Sequence, residues 1–222
     1  MSVVEVLETA RFADEAAARI SLSLPGEGTV VITGGTTAAR LYEPLAAADA
    51  GWGSLDVYFS DERCVPPGAD ASNFAMARRL LLDRVAPRRV HRMEGERDPA
   101  DAAAAYHDVV ASTAAGGFDL VLLGMGGDCH IAALFPGSPA VDEVSELCVA
   151  VDRPDGLKGL TLTPPALQRG REILVLVSGA AKGEAVRRAV GGDEPPRACP
   201  ARLLADHPNV TFVLDEAAAA RL

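Results

Sequence analysis

Short apolar runs alternate with amphipathic stretches along nearly the whole chain, and this alternation constrains the fold more than any single motif. Thr29–Thr33, Leu55–Phe59, Phe118–Leu123, Leu147–Val151, Ile173–Val177 and Val210–Leu214 have the length and the Val, Leu, Ile and Phe content of buried strands. Between them, Thr37–Ala47, Asn73–Val85, the stretch opened by Asp98-Pro99, a short turn from Thr163-Pro164 to Gly170, and Lys182–Val190 read as helices, with a further helix at the C-terminus. Ser72 and Asp98 stand where N-caps belong, and Pro99 suits a first helical position. The helix after Asp98 presents Ala102, Ala105, Tyr106, Val109, Val110 and Thr113 on one face. Strands that are apolar throughout and separated by helices call for a mostly parallel sheet covered on both faces. The expectation is an α/β, doubly wound, Rossmann-like fold, with residues 1–222 forming one domain.

Composition narrows the partners. The formal net charge of −10 repels nucleic acid and anionic lipid, but a local cluster of donors can still bind a small anion. No apolar run reaches the roughly 20 residues that span a bilayer, and Met1–Glu5 lacks the basic-then-apolar pattern of a secretory signal. A cytoplasmic protein is expected. Cys64, Cys129, Cys148 and Cys199 form no CxxC pair and no zinc-type spacing, so they read as reduced thiols, and no metal is expected.

In a doubly wound sheet, ligands sit beyond the carboxyl ends of the strands. Four segments there carry chemistry. Thr33-Gly34-Gly35-Thr36-Thr37 joins a strand to a helix, and its backbone N–H groups and hydroxyls suit a phosphate. Ser60-Asp61-Glu62-Arg63 reads as a loop with two carboxylates and an always-charged guanidinium, able to orient sugar hydroxyls or an oxyanion. Ser72-Asn73 downstream reads first as a cap and second as a ligand contact. Gly124-Met125-Gly126-Gly127-Asp128-Cys129-His130 lacks the third glycine of a dinucleotide fingerprint and the GK[ST] of a nucleotide-binding loop. It instead delivers His130, the side-chain type suited to acid–base work near neutral pH, with Asp128 two residues earlier to orient it.

His107 and His207 read as surface residues, and His91 has no supporting context. Cys129, adjacent to His130 in sequence, is poorly placed to be its nucleophilic partner. The fourth segment, Ser178-Gly179-Ala180-Ala181-Lys182, sets a lysine at a helix start. Only Lys158 and Lys182 are lysines among 21 basic residues, which favours a point-charge contact to phosphate at Lys182. The residues alone lead to acid–base chemistry on a small phosphorylated metabolite.

In this order the segments resemble the 6-phosphogluconolactonase family, within the wider glucosamine-6-phosphate isomerase fold. Matching stretches are Thr33–Thr37, Asp61–Pro66 with Ser72-Asn73, Gly124–His130 with Leu134-Phe135-Pro136-Gly137, Thr161-Leu162-Thr163, and Ser178-Gly179 with Lys182. Leu134–Gly137 and Asp61-Glu62-Arg63 resemble the lactonase branch rather than the deaminases. The resemblance implies hydrolysis of 6-phospho-D-glucono-1,5-lactone in the pentose phosphate pathway, with no cofactor. His130 is then the base, Asp128 its orienter, Arg63 the oxyanion donor, and Asp61 positions Arg63 or sugar hydroxyls. Gly34, Gly35, Thr36, Thr37, Asn73, Gly124, Gly126 and Lys182 bind the substrate, and the protein is a monomer or weak homodimer. The alternatives are a sugar-phosphate isomerase or deaminase, or a non-catalytic sensor.

Three positions depart from the family pattern: Cys129 stands where glycine is usual, Ala133 where serine is usual, and Gly159 where a basic residue is usual, with Lys158 one position earlier as a substitute.

Overall fold

The computed structural model describes residues 3–48 and 51–222. Ten strands occur in it: β1 (Val3–Leu7), β2 (Gly28–Ile32), β3 (Leu55–Phe59), β4 (Asp61–Arg63), β5 (Arg89–His91), β6 (Leu120–Gly124), β7 (Cys148–Asp152), β8 (Lys158–Leu162), β9 (Glu172–Val177) and β10 (Val210–Asp215). Seven of them form one sheet in the order β1-β10-β9-β6-β2-β3-β5, and every pairing in it is parallel. The α/β expectation holds. The central strands β3, β6 and β9 are apolar and buried along almost their whole length, as a sheet covered on both faces requires. Phe12, Ile20, Leu41 and Leu45 from helices Phe12–Ser23 and Gly35–Ala47 join them in the core.

From β2 the chain steps outward through β3 to β5. It then returns to lay β6 against the other side of β2 and continues through β9 to β10. The order therefore reverses between β2 and β6, and the crevice beyond their carboxyl ends is where this topology receives a ligand.

A second, antiparallel sheet, β4-β8-β7, was not anticipated. Ser60–Arg63 reads as a loop from sequence, yet Asp61–Arg63 is a strand paired with Gly159–Thr161. Three polar residues carry no period-2 signal, and only the partner strand makes them a strand. β1, β5 and β8 were also missed. β5 is three residues long, and β8 has its alternation interrupted by Gly159.

Boundaries moved elsewhere. The helix after β2 starts at Gly35 rather than Thr37. The helix from Asn73, capped by Ser72 as expected, runs through a π-helical stretch at Arg78–Leu82. Lys182 caps helix Gly183–Gly191 from a preceding 3-10 turn instead of opening it. Two histidines expected at the surface are half-buried and partnered. His107 Nδ1 accepts from the Leu147 N–H at 3.1 Å, and His207 Nε2 lies 2.8 Å from the Gly170 carbonyl oxygen. Among the described residues no helix is long and apolar enough to cross a membrane.

Candidate active site

The crevice at the strand reversal is a cleft lined by Thr33–Thr37, Asp61, Arg63, Asn73, Gly124–Gly126, His130, Ala132, Arg153 and Lys182. All four post-strand segments therefore converge on one site. Thr33 joins three of the strand ends: its Oγ1 accepts from Ser60 Oγ at 3.3 Å and from the Gly124 N–H at 3.4 Å.

Gly34 is the N-cap of helix Gly35–Ala47 and has no side chain to satisfy the first-turn donors. The N–H groups at this helix start, with the helix dipole behind them, are thus available to an anion. Gly34 is also sterically required. A Cβ there would lie 2.0 Å from Oδ1 of Asn73.

Asn73 is buried, and its side chain is used within the protein. Its Nδ2 donates to the Asp61 carbonyl at 2.9 Å, and its Oδ1 accepts from Nη1 of Arg63. Arg63 Nη1 also donates to the Ala71 carbonyl at 3.2 Å. Asn73 therefore fixes the guanidinium beside the glycine turn. The expectation that Asp61 positions Arg63 is not met. The Asp61 carboxylate accepts from Ser60 Oγ at 3.0 Å, and its other oxygen faces Arg153 at 3.7 Å.

Glu62, to which sequence reasoning gave no separate task, is buried beneath this loop. It accepts from the N–H groups of Arg63, Asn73 and Phe74 and from Ser72 Oγ, all at 2.7–2.9 Å. Burial raises its pKa despite these donors. It ties β4 to the start of the helix at Asn73.

In the glycine-rich loop, Nδ1 of His130 lies 2.6 Å from Oδ1 of Asp128, and the His130 N–H donates to the same oxygen at 3.2 Å. The hydrogen bond to His130 holds the Asp128 carboxyl down at about 2. A carboxylate on Nδ1 keeps the proton on that nitrogen and leaves Nε2 as the basic atom. The His130 ring sits 4.7 Å from the Phe135 ring, centroid to centroid. Gly126 makes the pair possible, since a Cβ at that position would lie 2.1 Å from His130 Nδ1 and 2.4 Å from Asp128 Oδ1.

Cys129 has the left-handed φ of 74° that makes glycine the usual residue in such a place. Its side chain is fully buried and turned to helix Gly183–Gly191, with Sγ 3.6 Å from the Ala185 carbonyl oxygen, and burial pushes the thiol up to about 12. Lys182 lines the cleft and has no ion-pair partner among the described residues. Lys158 does not substitute for the basic residue missing at Gly159. It is exposed at the far end of β8, paired with Asp152 and outside the cleft. The cation that does enter from this hairpin is Arg153, which sequence reasoning missed because nothing in the local pattern of its turn sets it apart.

The model of the family described as glucosamine-6-phosphate isomerases/6-phosphogluconolactonase matches residues 6–213. The chain belongs to this family. The 6-phosphogluconolactonase of Mycobacterium tuberculosis is 40% identical over 216 residues, covering 89% of this chain and 86% of its own. The crystal structure of a 6-phosphogluconolactonase from Shewanella baltica superposes with a TM-score of 0.86 at 27% identity, over 97% of each chain. A monomeric glucosamine-6-phosphate deaminase superposes with a TM-score of 0.88 at 20% identity, over 100% of each chain, which shows a shared fold alone. Backbone shape alone therefore does not tell this chain from a deaminase of the same fold.

Proposed function

We propose that this protein hydrolyses 6-phospho-D-glucono-1,5-lactone to 6-phospho-D-gluconate, the second step of the oxidative pentose phosphate pathway. The observation that carries the reading is the His130–Asp128 pair at 2.6 Å, set in the same cleft as an anion-binding helix start and the guanidinium of Arg63. The relatives named 6-phosphogluconolactonase support it at up to 40% identity over most of the chain.

The substrate phosphate rests on the Gly34–Thr37 turn with Lys182 beside it. Nε2 of His130 takes a proton from a water molecule whose oxygen attacks the lactone carbonyl carbon. Negative charge develops on the carbonyl oxygen, and Arg63 with the backbone donors of the glycine loop stabilises it. The tetrahedral intermediate collapses, the bond from C1 to the ring oxygen breaks, and His130 returns its proton to that oxygen. Asp128 keeps the imidazole oriented and stabilises its charged form. Asp61, free of Arg63, accepts hydrogen bonds from sugar hydroxyls. The side chains assigned here complete the cycle with water alone.

The test is fresh lactone mixed with purified protein, with 6-phosphogluconate read through a coupled dehydrogenase against the spontaneous rate. The expected result is a clear acceleration that falls by about 10²- to 10⁴-fold in His130→Ala. No acceleration by the wild-type protein overturns the proposal and returns the cleft to the isomerase, deaminase or sensor readings.

A further inference from the structure

We propose that Arg153, in the turn between β7 and β8, is a substrate-binding residue that grips the phosphate of the bound lactone from across Gly159. The proposal rests on the lactonase reading of the cleft.

The geometry places an arginine where the strand carries no side chain. Gly159 lies in β8, directly opposite Arg63 of β4. A Cβ built on Gly159 would fall 2.9 Å from Cδ and 3.3 Å from Cγ of Arg153. The aliphatic stem of Arg153 therefore occupies the volume that a side chain at position 159 would fill. The same stem carries its guanidinium into the cleft that holds Lys182, Arg63 and the Gly34–Thr37 turn. The missing side chain at Gly159 and the seating of the Arg153 stem are two aspects of one arrangement.

The guanidinium is held in place yet not fully used. The Arg153 side chain is only 9% exposed. Its Nε and Nη2 both lie 3.2 Å from Asp155 Oδ2, and its Cζ sits 5.4 Å from the Phe135 ring centroid. These contacts fix its orientation. Nη1 is 3.7 Å from Asp61 Oδ2, beyond hydrogen-bond range, and makes no hydrogen bond among the described residues. A nearly buried cation with one arm of the fork unspent is preorganised for an anionic oxygen.

The substrate offers one charged group in its ground state, the phosphate dianion. Lys182 and a helix start neutralise part of it, and a second cation completes the match. Arg63 has the other task, the carbonyl oxyanion, and Asn73 and the Ala71 carbonyl fix its Nη1 for it.

The experiment compares the wild-type chain with Arg153→Ala, Arg153→Gln and the double variant Arg153→Ala/Gly159→Arg. Each is assayed on 6-phospho-glucono-1,5-lactone and on unphosphorylated glucono-1,5-lactone, with 6-phosphogluconate binding measured by calorimetry. Arg153→Gln keeps most of the stem against Gly159 and Phe135, so it separates lost charge from lost packing.

Removing a charge-assisted contact should raise KM for the phosphorylated lactone and weaken 6-phosphogluconate binding, each by about 10- to 100-fold. The effect on kcat should be much smaller, and activity on the unphosphorylated lactone should be retained. The double variant, which returns an arginine to the strand, should recover most of the KM. An unchanged KM in both single variants overturns the proposal, and so does an equal loss on the two lactones. Calorimetry keeps this test apart from the lactonase reading, because Arg153 can prove necessary or unnecessary for binding whether or not the wild-type protein turns over.

Discussion

Nδ1 of His130 and Oδ1 of Asp128 lie 2.6 Å apart within a single loop, so base and orienter are carried by one short turn at the end of β6. The Asp128 carboxyl titrates near 2 instead of 3.8 because the hydrogen bond to His130 favours its charged form. A depressed acid pKa stabilises the fold above the unfolded value, and that contribution is lost as the pH falls through the folded one. Asp128→Asn should therefore flatten the acid limb of the stability curve between about pH 4 and pH 2. The pair is half exposed, so the difference amounts to about 1 kcal/mol or less. Thermal melts of the two proteins across that range check it. The same variant should lower kcat at neutral pH, since a neutral amide does not stabilise the imidazolium and its NH2 can donate to Nδ1, which moves the ring proton to Nε2.

Gly126→Ala should reproduce much of that kinetic loss with no change to either member of the pair. The added Cβ falls 2.1 Å from His130 Nδ1 and must push the ring or the carboxylate aside. Kinetics should show a lowered kcat, with the circular dichroism spectrum and melting profile close to those of the wild type. Full activity would mean that the His130–Asp128 contact is dispensable.

Lys182→Ala should raise KM for the phosphorylated lactone by about 10-fold or more while leaving kcat nearly unchanged. The wild-type KM should itself rise with added salt, and the variant should be less sensitive, because one screened contact has been removed. Initial rates over a salt series distinguish the two.

Cys129→Gly should retain activity. The thiol is fully buried, faces the Ala185 carbonyl and is pushed up to about 12, so it is un-ionised at neutral pH and turned from the cleft. Glycine relieves the left-handed φ of 74° but removes a buried side chain, so the two effects on stability oppose each other. Alkylating reagents applied to the native protein should not act through Cys129, and rapid inactivation that Cys129→Gly abolishes would return Cys129 to the chemistry, since the half-buried Cys64 remains in both proteins.

Much of this site was legible because its parts announce themselves locally. Glycines, hydroxyls and a histidine directly after apolar runs mark strand ends, and a parallel sheet places strand ends together. The antiparallel sheet was not legible. Asp61-Glu62-Arg63 becomes a strand only when Gly159–Thr161 lies beside it, and no window of sequence contains both. For the same reason Glu62 reads as one half of a carboxylate pair facing a ligand, whereas it ties β4 to a helix start through four hydrogen bonds. Arg153 escaped notice because its importance depends on an absence, the missing side chain of Gly159, six positions further along. Lys158, nearer in sequence, was the natural substitute to name, but its place in β8 carries it away from the cleft.

The position of β1 has a consequence for how the protein is made. β1 lies at one edge of the large sheet, and its neighbour there is β10, register-matched from Val3 against Thr211 to Leu7 against Asp215. During synthesis β1 must therefore wait for β10, a delay of on the order of ten seconds at ordinary ribosomal speeds. Throughout that interval Val4 and Val6 belong to an unpaired apolar ribbon. A nascent chain of this protein is thus exposed to mispairing at β1, and a chaperone arriving in that interval would find a grip there.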